Sequence, residues 1–592
     1  MDIINNPRVA SRLYGIDMAI YSENVRIPRI IQAFFMMSDM PARTNILKSD
    51  NARWASIAGY LPMFSMCGVI AYMRGKGMKN WATKLITVCG IMMCVPWLNS
   101  LFVALNSSYY ARWFYMPILV MCLMTAKIFA ENPDNLKKGF VPVSLVAGFF
   151  LAIGALPQKE DDKLVFFSIP QYIEMYWMQL IITVVLMIIL GLIVYLLPRR
   201  KFFYRFVSVI TAIACIIVMV AGVNFGAVQD GGHDEYIKYA INGSDNLDMD
   251  ELDSQNEANN LYDDNTFYRI DSSESTDNWC MFWGLSSMRT FHSVVPSSIM
   301  TFYESIGQTR DVASRMDKSL YALRGLFSVR YYFNRVSDDE DSVHAETLEG
   351  LSGFTYLDTQ NDFDIYENQY WIPMGFTYDY YTTDKTVQAT TTNLRPNLIL
   401  EAAVLSKKQI KKYSDILTKY NDELNAVGEY NYYSVCEKKR ENSCYYFKES
   451  TDGFEAKINL DEDKLLFFSV PYEDGWTATV NGESVDIDVV NYGFMAIRCP
   501  AGYSEIQFSY KTAGLTIGRT VSVVGLGVFV AYIAIGYGYD KRKRLAKAEN
   551  GETEDETTSE VIDSVPSEQA LEEIVRNDGN MQDMHNTENK DN

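Results

Sequence analysis

Seven apolar stretches decide what this chain can fold into. Each runs about 18–22 residues, enough to cross a hydrocarbon layer roughly 30 Å thick as a helix. They lie at 54–73, 84–105, 113–130, 139–156, 176–197, 202–222 and 518–539. Ionisable residues are missing from their centres. That disfavours a proton- or ion-driven transporter, which needs charge at membrane depth. The stretch 139–156 is short and Gly-rich, and reads either as a span or as a re-entrant or buried helix. The net charge of −21 over 592 residues sits mainly in 223–517 and after 545. Such a split describes an integral membrane α-helical bundle of about seven spans with a large acidic water-facing part. It also argues against nucleic acid as a partner, because phosphate backbones need clustered Lys and Arg.

The Lys/Arg bias of short loops sets the orientation. One set holds Arg74, Lys76, Lys79, Lys84, Lys127, Lys137, Lys138, Arg199, Arg200, Lys201 and Arg205, and the segment after the last span adds Lys541 to Arg544 and Lys547. The loops opposite, 106–112 and 157–175, hold only Arg112, Lys159 and Lys163. The expectation is a multi-pass membrane protein with its C-terminus in the cytoplasm and 223–517 outside. An odd number of spans then places 1–53 outside too. That segment holds seven Lys/Arg and no signal-peptide core. The sequence therefore reads as the C-terminal portion of a longer protein, or as one product of a split or internally started gene. Within 1–53, the apolar-rich stretch 29–40 reads as a helix, either lying at the outer membrane surface or packed on the bundle.

Residues 223–265 are Asp-, Asn- and Gly-rich and read as a polar linker. Between 266 and 429, short strand-like runs alternate with helical ones, as in a small α/β unit. Strands are expected at 267–270 and 329–333, and helices at 300–306, 318–326 and 407–425. From 430 to 517 the period becomes two, with eight short runs starting at 430, 444, 454, 465, 476, 484, 493 and 504. Strands that short and close indicate a β-sandwich. Asn481-Gly482 between two of them is a hairpin signal, because both turn positions need positive φ. Residues 540–592 hold about 14 acidic against three basic residues after 545 and are expected to be disordered.

No CxxC occurs and there are only four histidines, so no metal site is expected. Cys436 and Cys444 flank a short loop between two expected strands, and are either a cross-strand disulfide or two free thiols. Asp248, Asp250 and Asp253, and Asp461 with Asp463, resemble acidic metal spacings but lack the ligand order of a calcium loop; Asp-rich turns explain them better. No Ser/His/Asp or Cys/His constellation and no dinucleotide or Walker fingerprint is present.

Several segments resemble the YfhO family of bacterial multi-pass membrane proteins, regarded as glycosyltransferases of the GT-C architecture. Asp364-Ile365-Tyr366-Glu367-Asn368, followed by Pro373, Gly375 and Phe376, is similar to its strand-then-turn element. The run 468–482, with Gly475-Trp476 and Asn481-Gly482, is similar to its hairpin. The run 501–510 and the region Asn278-Trp279 with Gly284 to Ser287 follow the same order. In the membrane part, Val95-Pro96-Trp97-Leu98-Asn99 and Tyr110-Ala111-Arg112-Trp113-Phe114 resemble another family segment. The resemblance covers 84–539. It departs where GT-C enzymes carry a catalytic carboxylate, in a loop N-terminal to everything here, so no catalytic base is assigned.

The resemblance implies sugar transfer from a polyprenyl-phosphate donor to an extracytoplasmic cell-envelope polymer, with membrane lipid as surroundings and no cofactor. Such chemistry needs a carboxylate for the acceptor hydroxyl and a cation for the departing phosphate. Arg112 fits the second role: it lies at a membrane boundary beside Tyr109, Tyr110 and Trp113, and a guanidinium pairs well with phosphate. The alternative is an interfacial arginine among belt aromatics. Asn99 and Asn106 can bond sugar or phosphate, or pack helices. Asp17 and Glu23 are membrane-proximal carboxylates, either a catalytic group or solvated loop residues, and the loop explains them better. Trp279, Phe282, Trp283 and Trp476 are either sugar platforms or core. The competing account is a non-catalytic membrane accessory protein whose exterior domain binds a wall polymer or partner.

Overall fold

A computed structural model describes residues 15–549 except 22–24, 38–58, 104–110, 161–162, 168–169, 171, 197–202, 226–233, 235, 255–266, 274–275, 293–294, 309, 311–312, 337–344 and 422–428. The chain divides into two compact units, 1–510 and 511–592.

Five helices among the described residues are long and apolar enough to cross a membrane: Arg112–Glu131, Pro133–Ala155, Ile173–Tyr195, Phe203–Val223 and Leu515–Lys543. The third of these averages a hydropathy of 2.7, high enough to partition into lipid without help from a polar face. The Gly-rich stretch 139–156 is part of a full-length helix, Lys137–Ala155. The first two expected stretches look different. Residues 54–58 lie outside the described residues, and the rest of that stretch holds a ten-residue helix, Cys67–Lys76. The stretch 84–105 is interrupted: the helix Trp81–Cys94 stops, Val95 turns extended (φ −113°, ψ 115°), and Pro96 opens a separate helix Pro96–Ser100. The cause is local, since a proline ring disfavours helical backbone at the residue before it.

The stretch expected as a helix at 29–40 forms Arg26–Phe35, with Pro28 in the first turn, where its missing N–H costs nothing. Ile30 and Phe34 are buried in the same apolar cluster as residues of the bundle helices, so this helix packs on the bundle. Gly59 permits the approach: a Cβ there would lie 2.3 Å from the Phe34 ring.

The β-rich region begins with a four-stranded sheet ordered Arg269–Ser272, Val329–Arg335, Phe363–Asn368, Phe354–Gln360; only the first pair is parallel. The stretch expected as linker is partly structured here. Helix Met249–Ser254 buries Leu252, and Ala240 joins it in a cluster with Ile270, Trp279 and Phe363. Asp253 is held by Arg330 at 2.9 Å and by the Tyr331 hydroxyl at 2.7 Å, so its job is an ion pair. The expected helix at 318–326 contracts to Ala322–Leu326, and that at 407–425 to Lys407–Lys412. The second gives way to a short strand, Thr418–Lys419, that pairs with Tyr380–Thr382.

Beyond 440, a five-stranded sheet is ordered Tyr446–Ser450, Gly453–Leu460, Gly502–Tyr510, Trp476–Val480, Glu483–Val485. A four-stranded one is ordered Asp488–Val490, Phe494–Cys499, Lys464–Pro471, Phe376–Tyr378. Both sheets contribute to one apolar cluster that includes Phe454, Phe468, Met495 and Phe508. Strand Lys464–Pro471 is apolar at consecutive positions because both of its faces are covered. Leu466 and Phe468 enter that cluster, while Leu465 and Phe467 enter a second one with helices behind. The turn Asn481-Gly482 has φ of +51° and +84°, as its residues require.

The first expected strand of this region, at 430, is a helix, Glu429–Glu441. Tyr432, Cys436 and Lys439 are its buried positions, spaced four and three residues apart along one face. Cys436 therefore points into one apolar cluster and Cys444 into the other. Both are free thiols; no disulfide joins them.

Lys439 is 6% exposed, donates to the Thr377 carbonyl at 2.8 Å and stands 4.0 Å from the centre of the Tyr378 ring. Burial pushes its pKa down to about 7, against the opposing pull of Asp379. An unfolded lysine titrates near roughly 10.4, so between those values the unfolded chain binds the extra proton. The group thus makes stability rise with pH across that window, by up to about 1.4 kcal/mol per pH unit. Lys439→Met should flatten the rise in melting temperature between about pH 7 and pH 9 relative to wild type. An unchanged difference would contradict the assignment.

In the second unit, helix Leu515–Glu549 continues past the expected end of the last span. Residues 540–549, expected as disordered tail, are helical, because Lys, Arg, Leu and Ala favour helix and no Gly or Pro intervenes before Gly551. Residues 550–592 lie outside the described residues.

Candidate functional site

The break at Pro96 creates the site. Because the helix restarts there, Asn99 sits on a short separate turn, fully buried, and its side-chain oxygen accepts the Trp113 indole N–H at 2.8 Å. Phe102 stacks on the other side of the bond, its ring 4.2 Å from Trp113 and nearly parallel at 16°. Trp113 lies edge-on to Phe114 at 5.3 Å, and Phe114 edge-on to Phe34 at 5.2 Å. An aromatic chain thus runs from the break to the helix Arg26–Phe35.

Arg112 is the first residue of the span after the break, in a single turn Arg112–Phe114, and it is exposed. The buried neighbours on either side fix its backbone: Ala111 and Phe114 are both in the bundle cluster. Two expected partners, Tyr109 and Tyr110, lie outside the described residues, as does Asn106. The structure therefore brings together Arg112, Trp113 and Asn99 and leaves Tyr110 undescribed.

Sequence reasoning missed the inner half of this cluster. Tyr21 donates to the Met93 carbonyl at 2.8 Å and lies in hydrogen-bonding contact with Asn99 and Arg26. The Arg26 guanidinium is 1% exposed and 5.3 Å from the Tyr21 ring centre; Arg29, one turn on, is 7% exposed. Two buried arginines in a surface tail would be costly, so their burial was the available signal only once the helix was known to pack. Chemically, the arrangement gathers guanidiniums at a helix break. It has one exposed guanidinium, two buried ones, and a fixed amide–indole pair between them. Asp17 has no described side chain, and Glu23 lies outside the described residues.

Other expected positions resolve as scaffold. Trp279 and Trp283 are buried against Phe363 and Phe333, and Trp476 packs on Phe454 and Tyr510; only Phe282 is exposed. Asp248 caps helix Met249–Ser254 through the Glu251 N–H at 2.9 Å. Asp463 accepts from Arg498 at 2.9 Å. No group of three or more His, Cys, Asp or Glu side chains suited to a metal occurs among the described residues.

The turn that resembled a family element has a steric logic. Gly375 has φ +84°, and a Cβ there would lie 2.6 Å from the Cys444 sulfur and 2.8 Å from Phe468. Asn368 bridges it to the sheet, donating to the Val329 carbonyl at 3.0 Å and accepting from the Tyr370 N–H at 3.0 Å. Glu367 pairs with Arg330 at 3.2 Å, both side chains buried.

A family model described as bacterial membrane protein YfhO matches residues 35–451 and 423–522. The uncharacterized protein YfhO of Bacillus subtilis (strain 168) is 29% identical over 75 residues, which cover 13% of this chain and 9% of that protein. No solved structure matches the chain.

Proposed function

The chain belongs to the YfhO family of bacterial membrane proteins, and from that premise we propose that it takes part in sugar transfer from a polyprenyl-phosphate donor to an extracytoplasmic cell-envelope polymer. It would do so with a GT-C-like membrane body. The observation that carries this reading is the exposed Arg112 at the first residue of a span, beside an indole locked by the buried Asn99. A lipid phosphate lies at that depth, and a guanidinium offers it paired donors. Arg112 holds the phosphate of the donor, and Trp113 with Phe102 lines the path of the lipid chain. In sequence, the β-rich region 224–514 lies between two apolar helices. With the basic loops in the cytoplasm, it faces outward, where the five-stranded sheet and the four-stranded sheet that holds Lys464–Pro471 form a β-sandwich beside the acceptor polymer.

Arg112→Ala, introduced in the source bacterium, tests this. The expected result is loss of most of the sugar on the envelope polymer at unchanged protein level, roughly a hundredfold in rate for a lost charged contact of about 2–3 kcal/mol; Arg112→Lys restores part. Full polymer glycosylation in Arg112→Ala would refute the phosphate role.

A further inference from the structure

A cavity of about 230 Å³ opens in the β-rich region, far in sequence from the membrane cluster. Its polar lining is unusual in sign. Arg269, Arg310, His292, Ser287 and Thr290 line it, and among the described residues that line it none is a carboxylate. The remaining wall is apolar, from Met288 to Phe494.

The cationic groups are held in place. Arg269 donates to the Phe327 carbonyl at 2.8 Å and to the Ser469 hydroxyl at 2.9 Å, tying strand Arg269–Ser272 to strand Lys464–Pro471. Neither bond neutralises its charge, and the carboxylate that acts on it, Glu449, is exposed. Arg310 is 6% exposed, with its guanidinium 5.8 Å from the Tyr303 ring centre. Partial burial and then the charge of Arg310 push the His292 imidazole below its ordinary value, so it stands neutral at the mouth as a hydrogen-bonding group. Pro296, also in the lining, precedes the nine-residue helix Ser297–Ser305, which has no side-chain cap, so the positive end of that helix faces the same space.

We propose that this cavity binds a phosphate group carried on a small organic body. Two guanidiniums, hydroxyls and a helix start supply donors for the oxyanion. The apolar wall suits a few carbons. A volume of 230 Å³ is the size of a small phosphate ester. The proposal stands apart from the membrane-boundary reading, since the cavity shares no residue with the Arg112 cluster.

The test is calorimetric titration of the full chain in detergent micelles with inorganic phosphate, with methyl phosphate and with glycerol as the neutral probe. Both phosphates should bind saturably and glycerol should not. Arg310→Gln should weaken phosphate binding about tenfold or more, as expected for a lost charge-assisted bond. Thr290→Val should weaken it less, and Arg112→Ala should retain the binding that Arg310→Gln loses. Melting of each variant without ligand confirms that it is folded. Should Arg310→Gln melt early, Arg310→Lys replaces it, keeping the charge and part of the affinity. Absence of saturable binding, equal binding of glycerol, or full affinity in a folded Arg310→Gln protein would overturn the proposal. Loss of binding in Arg112→Ala alone would place the phosphate at the membrane instead and overturn it too.

Discussion

Arg324→Met should lower the melting temperature of the β-rich region by on the order of 10 °C, from a loss of about 3–5 kcal/mol. Arg324 is fully buried, and its guanidinium is the hub of one polar network. Nε and Nη2 donate to Asp271 at 3.2 and 2.8 Å. Nη1 donates to the Asp317 and Leu320 carbonyls at 2.6 and 3.3 Å, and Nη2 to the Met316 carbonyl at 3.1 Å. Methionine fills similar space but satisfies none of these groups. Asp271 would keep the Ser272 N–H at 2.9 Å and Arg289, whose nearest approach is 3.6 Å, too little to balance a buried carboxylate. Removing one partner of a buried pair is expensive chiefly because the other remains charged in an apolar place. The double variant Arg324→Met with Asp271→Asn should therefore recover part of the loss. A single variant that melts with wild type, or a double variant that melts lower than the single by the full cost of a second break, would show that the pair does not hold the region together.

Gly139→Val should disrupt the helical bundle. A Cβ at Gly139 would lie 1.9 Å from the Cys67 carbonyl oxygen and 2.8 Å from its carbon, both backbone atoms that no rotamer can move. Helix Lys137–Ala155 meets helix Cys67–Lys76 at this point, and the Cys67 thiol donates to the Leu136 carbonyl at 3.2 Å beside it. Membrane helices have little hydrophobic drive to associate, and depend on close packing at small residues. Forcing them apart should cost at least about 1–3 kcal/mol, seen as early melting and a broadened size-exclusion profile in detergent. Gly148→Val is the matched control: nothing lies within 4 Å of a Cβ there, so it should behave as wild type. Equal profiles for the two variants would contradict this packing.

The same glycine shows what the sequence could and could not convey. A Gly-rich apolar stretch reads as a weak span by composition alone, and only the partner helix reveals that Gly139 serves contact while Gly148 does not. Asn481-Gly482 was legible because its constraint is local, two positive φ angles in two residues. Five of the seven apolar runs were legible for the same reason, at 113–130, 139–156, 176–197, 202–222 and 518–539. The run at 430 misled because Tyr430, Tyr432 and Tyr433 favour strands, while the helical period was carried partly by a buried lysine, Lys439, which a hydropathy pattern does not count. The interruption at Pro96 follows a local rule, but the hydrophobicity on both sides hides it. In the candidate site, Arg112 and Asn99 were visible as motif residues. Tyr21 was not, because the carbonyl it bonds, Met93, lies 72 residues away, and Arg26 was not, because its burial follows only once Tyr21 is placed there. The cavity is less legible still, since Arg269 and Ser469 meet across 200 residues.

Sugar transfer itself is the claim that matters most. The direct measurement reconstitutes the full chain in liposomes with a polyprenyl phosphate carrying a radiolabelled sugar, and supplies an envelope polymer from the source bacterium. The expected result is label on the polymer, falling steeply in Arg112→Ala and partly restored in Arg112→Lys. Polymer that is retained by the chain but never labelled would contradict transfer and favour a binding role.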